Sequence, residues 1–280
     1  MDFVWGIIGI VAIVGIALAL SSNRQAIQWR IIVSGLAVQL IFAFIVLKWE
    51  FGREKLMQLS NAVQSLIGYA NEGISFVFGG LVNNESIGMV FAISVLTIII
   101  FFSSLISVLY YLGIMQIVIK FIGGFLSKVL GTTKAESISA AANIFVGQTE
   151  APLVIRPFLN TMTRSQLFAV MTGGLASVSG SVLVGYSLLG VPLQYLLAAS
   201  FMAAPAGLVL AKLIMPETEE VDDSNFKLER DKTATNVIEA AANGAADGLK
   251  LAANVGAMLI AFIALIALLN GILVSIGGWF

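Results

Sequence analysis

Long apolar runs separated by short polar ones set the frame of this chain. A membrane span needs about 20 mostly apolar residues. Six stretches meet that standard: Phe3–Leu20, Ile31–Trp49, Ile87–Ile117, Gln166–Gly190, Leu193–Met215 and Leu251–Ile276. Three more are apolar but interrupted. Leu59–Val82 carries Asn61, Gln64, Asn71 and Glu72, which predicts an amphipathic helix lying on the membrane. Ile114–Leu130 predicts another, with Lys120 and Lys128 on one helical face. The third, Ala135–Leu159, predicts a re-entrant helical hairpin. The expected fold is an all-α polytopic membrane protein of about six transmembrane helices with one re-entrant hairpin and interfacial helices.

Composition makes the membrane assignment firm. The chain is 59% hydrophobic and 11% charged, with a mean hydropathy of +0.98; soluble domains run at about 45–50% apolar and roughly 25% charged. Trp5, Trp29, Trp49 and Trp279 all fall at span ends, where an amphipathic ring sits between headgroup and hydrocarbon. A net charge of −1 argues against a nucleic-acid partner. Met1–Leu20 lacks a basic leader region and reads as a first span, not a signal peptide.

Lys and Arg positions predict orientation. With the N-terminus outside and alternating spans, only Lys48, Arg53 and Lys55 lie outside, and the other twelve of the 15 are cytoplasmic. That bias requires Ala135–Leu159 to enter and leave by the cytoplasmic side. Pro216–Asn236 then reads as a charged cytoplasmic linker, and Asn236–Lys250 as a surface helix leading into the last span.

Candidate chemistry centres on GQTEAPLVIRP, Gly147–Pro157. Between Glu136 and Glu217 the only acidic residue is Glu150, and an ionisable group at membrane depth faces a polar cavity or a partner. Asn143, Gln148 and Thr149 flank it, and Gly147 and Pro152 interrupt regular helix. Irregular backbone at that depth survives only inside protein or beside water. The following TGGLASVSGSVLVGY, Thr172–Tyr186, clusters Ser177, Ser179 and Ser181 among glycines. Small residues there permit close helix packing; hydroxyls and carbonyls are also hard oxygen ligands suited to an alkali cation. Neither cysteine nor histidine is present, so no credible catalytic set exists and an enzyme is not expected.

These segments resemble the concentrative nucleoside transporter family, bacterial-type and sodium-coupled. GQTEAPLVIRPFL followed by MTRSQLFAVMTGGLASVSGSVLVGY looks like its first hairpin and next helix, and NVIEAAANGAADGLKLAANVGAMLIAF like the approach to its sixth span. The resemblance implies secondary active import of nucleosides of the uridine, cytidine and adenosine class. It implies an elevator-type mechanism, a homotrimer and a multi-pass location in the bacterial inner membrane. It places Gln148, Thr149, Glu150 and Val182 at the nucleoside, and Asn143, Val146, Ser177 and Val178 around a coupling Na+. It divides the chain into scaffold helices (1–113), a transport part with the hairpin (114–215), a linker (216–236) and a surface helix with the sixth span (237–280).

The resemblance covers only the first part of an inverted-repeat transporter. A second hairpin with ribose-binding residues has no counterpart here, so the sequence is expected to be a fragment. Two alternatives stay open: coupling to H+, which would need Glu150 to titrate, and a shortened, non-transporting nucleoside-recognition module.

Overall fold

The computed structural model describes residues 2–82, 90–148, 151–219 and 234–277. Ten α-helices account for most of them: α1 Asp2–Ala19, α2 Trp29–Leu47, α3 Glu50–Phe78, α4 Thr97–Tyr111, α5 Ile114–Leu130, α6 Lys134–Ala142, α7 Arg164–Ala176, α8 Gly180–Leu188, α9 Leu193–Ile214 and α10 Val237–Gly277. A π-helical turn, Ala92–Leu96, leads into α4, and a 3-10 arm, Ala151–Thr161, follows α6. Among the described residues, four helices are long and apolar enough to cross a membrane: Trp29–Leu47, Ala92–Tyr111, Leu193–Ile214 and Val237–Gly277. The multi-pass, all-helical class stands.

Three of the predicted segments are redrawn. The run Ile87–Ile117 is not one helix: the crossing helix ends at Tyr111, and Gly113 at φ 80 turns the chain into α5. Hydropathy misses this break because both sides are apolar, whereas the turn needs a left-handed residue that only glycine supplies readily. Gln166–Gly190 is likewise two helices, α7 and α8, separated by extended backbone at Ser177 and an N-cap at Ser179. Conversely, Asn236–Lys250 is not a separate surface helix. It is continuous with the last span in α10, whose 41 residues reach roughly 60 Å at about 1.5 Å per residue. Gly244 and Gly248 in this stretch sit against α4: a Cβ at Gly248 would lie 2.8 Å from Ile100 Cα.

The packing joins distant parts of the chain. α10 runs antiparallel to α4, with Tyr111 Oη donating to Thr235 O at 3.2 Å, Ser107 Oγ to Ala240 O at 2.8 Å and Ser104 Oγ to Ala241 O at 2.8 Å. α3 lays its buried stripe (Ile67, Ala70, Ile74) on Ile98 and Phe102 of α4, as its amphipathic pattern predicts. α1 and α2 pack on α9, and α5 packs on α6 through Met115, Ile119 and Ile138. α7 lies against both α6 and α9, and Gly207 lets α9 approach Gly173 closely.

One end of the bundle gathers many connections. Ser22 N donates to Ile214 O at 2.8 Å, and Arg30 Nη2 to Lys128 O at 3.4 Å. Gln166 Nε2 donates to Thr133 Oγ1 at 3.1 Å, and Ser165 Oγ to Met215 O at 2.6 Å. Thr133 and Gln166 bracket the segment Lys134–Thr161, so that segment leaves by the end at which it entered. The expected hairpin over Ala135–Leu159 thus has both flanks at one end of the bundle.

Candidate functional site

The hairpin segment is built to be interrupted at its tip. Its first arm, α6, starts at a capping box in which the Thr133 side chain and Glu136 satisfy each other's backbone N–H groups. Alanine and serine carry the helix to Ala142, where the next residues turn: Ile144 N bonds Ala141 O at 3.3 Å, and Phe145 N bonds Ala142 O at 3.0 Å. After the tip, Ala151 N bonds Gly147 O at 3.0 Å and the chain returns in the tighter 3-10 form.

α7 mirrors that start. Thr163 and Gln166 form a second capping box, and the Gln166 to Thr133 bond sets the two helix starts side by side. α6 and α7 therefore run parallel from one anchor, and ten residues on, Asn143 faces Gly173. A Cβ at Gly173 would lie 3.4 Å from Asn143 Nδ2, and one at Gly174 would lie 2.9 Å from Gln148 Cβ. Four residues beyond Gly173, at Ser177, the helix gives way. Ser177 is extended (φ −111, ψ 161), and Ser179 restarts the helix as N-cap, its Oγ accepting from Val182 N at 3.4 Å. The hairpin tip is tied to this break, because Gly180 N donates to Phe145 O at 3.1 Å. A side chain at residue 180 would meet that carbonyl at 2.7 Å, so glycine is what allows the contact.

The electrostatics of this junction are set by unpaired groups. Asn143 is 1% exposed, yet neither its Oδ1 nor its Nδ2 has a hydrogen-bond partner among the described residues. Leaving a buried amide group unpaired costs about 1–3 kcal/mol, so such groups mark an absent ligand or water. The break at Ser177–Ser179 interrupts the helical ladder, which leaves carbonyls at the end of α7 and N–H groups at the start of α8 without intrahelical partners. Neutral oxygen donors with the partial negative end of a helix suit a hard monovalent cation. No group of three or more carboxylates able to hold a metal ion occurs among the described residues.

Of the residues expected at the site, Asn143, Gln148 and the Ser177 turn are brought to one region between the hairpin tip and α7. Val146 is buried with the α5–α6 core, Val178 is partly exposed within the turn, and Val182 is half-buried in the first turn of α8. Thr149 and Glu150 lie outside the described residues.

The chain as a whole is similar to known proteins. Residues 8–81 match the family described as Na+ dependent nucleoside transporter N-terminus. Residues 92–193 match one described as nucleoside recognition, and 195–280 the Na+ dependent nucleoside transporter C-terminus. An uncharacterized transporter of Haemophilus influenzae is 57% identical over 281 residues, which take in 100% of this chain and 67% of that protein. The chain belongs to the concentrative nucleoside transporter family. Nucleoside permease NupC of Helicobacter pylori is 51% identical over 272 residues, 95% of this chain and 64% of the permease. CNTnw, solved in an inward-facing substrate-bound state, superposes with a TM-score of 0.92 at 53% identity, covering 100% of this chain and 67% of its own. The chain thus spans about two thirds of the length of these family members. Membership of a transporter family agrees with the absence of an enzymatic set from the sequence.

A second polar cluster lies outside the residues expected at the site. Lys212, Glu136, Ser165 and Glu217 meet at the base of the hairpin, where Lys212 bonds Glu136 and donates to Ser165 Oγ at 2.8 Å. Two signals were available. Lys212 is the sole charged residue in α9, and T-x-x-E at Thr133–Glu136 announces a capping box before a small-residue helix.

Proposed function

We propose that the complete protein containing this chain imports nucleosides by sodium-coupled symport, with the coupling ion bound between the hairpin tip and the α7–α8 break. The observation that carries the reading is the buried, unpartnered Asn143 amide beside that break. Asn143 Oδ1, Ser177 Oγ and the carbonyls of Val146 and Val178 are the proposed sodium ligands. Gln148, Thr149, Glu150 and Val182 are proposed to face the nucleoside, the first three from the hairpin tip. Sodium bound there would draw the tip onto α7 and raise nucleoside affinity; by linkage, nucleoside would raise sodium affinity by the same factor.

The names of relatives support the chemistry: sodium/nucleoside cotransporter 2 of rat is 44% identical over 272 residues, which make up 40% of that protein. For alternating access we propose an elevator. α4 and α10, pinned by Gly248 and the two serine bonds, would form the fixed unit with α3. The hairpin, α7, α8 and α9 would move, and the packing of α1 and α2 on α9 favours their travelling with it. This regroups residues 1–47 away from the scaffold expected over 1–113. A homotrimer in the bacterial inner membrane, with the N-terminus outside, completes the proposal.

The test is uptake of labelled uridine and adenosine by proteoliposomes carrying the full-length protein. Ser177→Ala should raise the half-saturating sodium concentration about tenfold, equivalent to ~1.4 kcal/mol. An unchanged sodium curve would remove Ser177 from the site, and uptake indifferent to sodium would overturn the coupling.

A further inference from the structure

The polar cluster at the hairpin base is connected throughout. Lys212 and Glu136 are 3% and 1% exposed and form a buried ion pair. Glu136 Oε2 also accepts from Thr133 N at 3.2 Å, while Lys212 Nζ donates to Ser165 Oγ and lies 3.6 Å from Glu217 Oε2. Glu217 Oε2 in turn accepts from Thr163 Oγ1 at 2.7 Å, and Gln166 joins the two capping boxes through Thr133 Oγ1. One network thereby holds the start of α6, the start of α7 and the end of α9. A cavity of about 190 Å³, lined by Thr133, Glu136, Lys212 and Glu217 among others, opens against it.

Holding three helices together does not call for charge. Well-packed apolar side chains of similar volume do so as well or better, whereas a satisfied buried pair gives a defined register and a large loss when one partner is removed. Register is what the site above requires. Asn143 stands seven residues beyond Glu136, and Gly173 seven beyond Gln166, roughly 10 Å along each parallel helix. A shift or rotation of α6 at its base is carried up that rigid arm to the Asn143 amide.

We propose that Lys212 and Glu136 are positioning residues for the cation site, fixing α6 against α7 so that Asn143 meets the Ser177 break. This rests on the reading that sodium binds there. The pair touches neither ion nor nucleoside, so its loss should appear as a change in sodium response before nucleoside recognition at saturating sodium.

The experiment uses full-length protein in proteoliposomes with sodium chloride titrated against choline chloride. Sodium-dependent thermal protection of the purified protein, without nucleoside, gives a second readout. Lys212→Met should raise the half-saturating sodium concentration about tenfold, within the range by which residues outside a site alter coupling. The half-saturating uridine concentration at saturating sodium should stay within about twofold. Glu136→Gln/Lys212→Met together should lie closer to the unmodified protein than Lys212→Met alone, because the fully buried Glu136 carboxylate is no longer left without its cation. If Lys212→Met does not fold, Glu136→Gln, which keeps size and a hydrogen-bonding group, carries the same sodium test. Variants that lower the yield or maximal rate with an unchanged sodium curve would make the pair merely structural and overturn the proposal. Ser177→Ala separates the two layers. If it shifts the sodium curve and the Lys212 and Glu136 variants do not, only positioning fails; if the unmodified protein ignores sodium, both readings fall together.

Discussion

At the scale of single residues, the site depends on what is missing from two glycines as much as on what is present at Asn143. Gly174 faces Gln148 and Gly180 faces the Phe145 carbonyl, each at a distance that a Cβ would violate. Gly174→Ala should therefore push Gln148 away from α7 and raise the half-saturating uridine concentration about tenfold, ~1.4 kcal/mol, measured as uptake at saturating sodium. Wild-type affinity in that variant would mean that Gln148 can move without consequence and does not contact the nucleoside. Asn143 and the serine cluster were legible in the sequence because polar groups in apolar surroundings stand out. Their convergence came from the family resemblance alone, since facing positions thirty residues apart are set by the Gln166 to Thr133 bond and not by periodicity. The Lys212–Glu136 pair escaped for a related reason. Each residue sits near a helix end, where a charge reads as solvated, and only the fold brings them together out of water.

Among elements, apolar length was legible and interruption was not. α2 and α9 lie close to the predicted spans because their ends coincide with changes of polarity. The breaks at Gly113 and Ser177 fall inside apolar or small-residue sequence, where hydropathy has no contrast to offer. The α4–α10 contact makes the complementary point. Ala240, Gly244, Gly248 and Ala252 recur every fourth residue and are the buried positions of α10, so a stripe of small residues marks the packed face. Gly248→Val should separate the helices and cost about 1–3 kcal/mol, read as a lower melting temperature of detergent-purified protein. Gly271→Val is the contrast, since nothing lies within 4 Å of a Cβ there, and its melting temperature should be unchanged. Equal losses in both variants would show that the α4–α10 seam is not what limits stability.

For the whole molecule, the bond between Thr133 and Gln166 holds both flanks of the hairpin at one end of the bundle, while which face of the membrane that end meets is a matter of charge. The end that holds the hairpin base also holds Arg24, Arg30, Lys128 and the approach to the 216–236 linker. The opposite assignment would put most of the chain's cations outside, against the positive-inside bias. These 280 residues hold no cysteine, so an introduced thiol is the only one among them, and its labelling is read against the unsubstituted full-length protein. In intact cells, a membrane-impermeant maleimide should label Lys55→Cys and leave Lys128→Cys and Thr218→Cys untouched until the membrane is permeabilised. Lys128 and Lys55 are exposed in the bundle, so failure to label reflects sidedness and not burial. The reverse pattern would invert the orientation and place the hairpin base outside. Labelling of Lys128→Cys and Thr218→Cys on opposite sides would contradict the re-entrant path itself, since α7, α8 and α9 would no longer return the chain to the end it left.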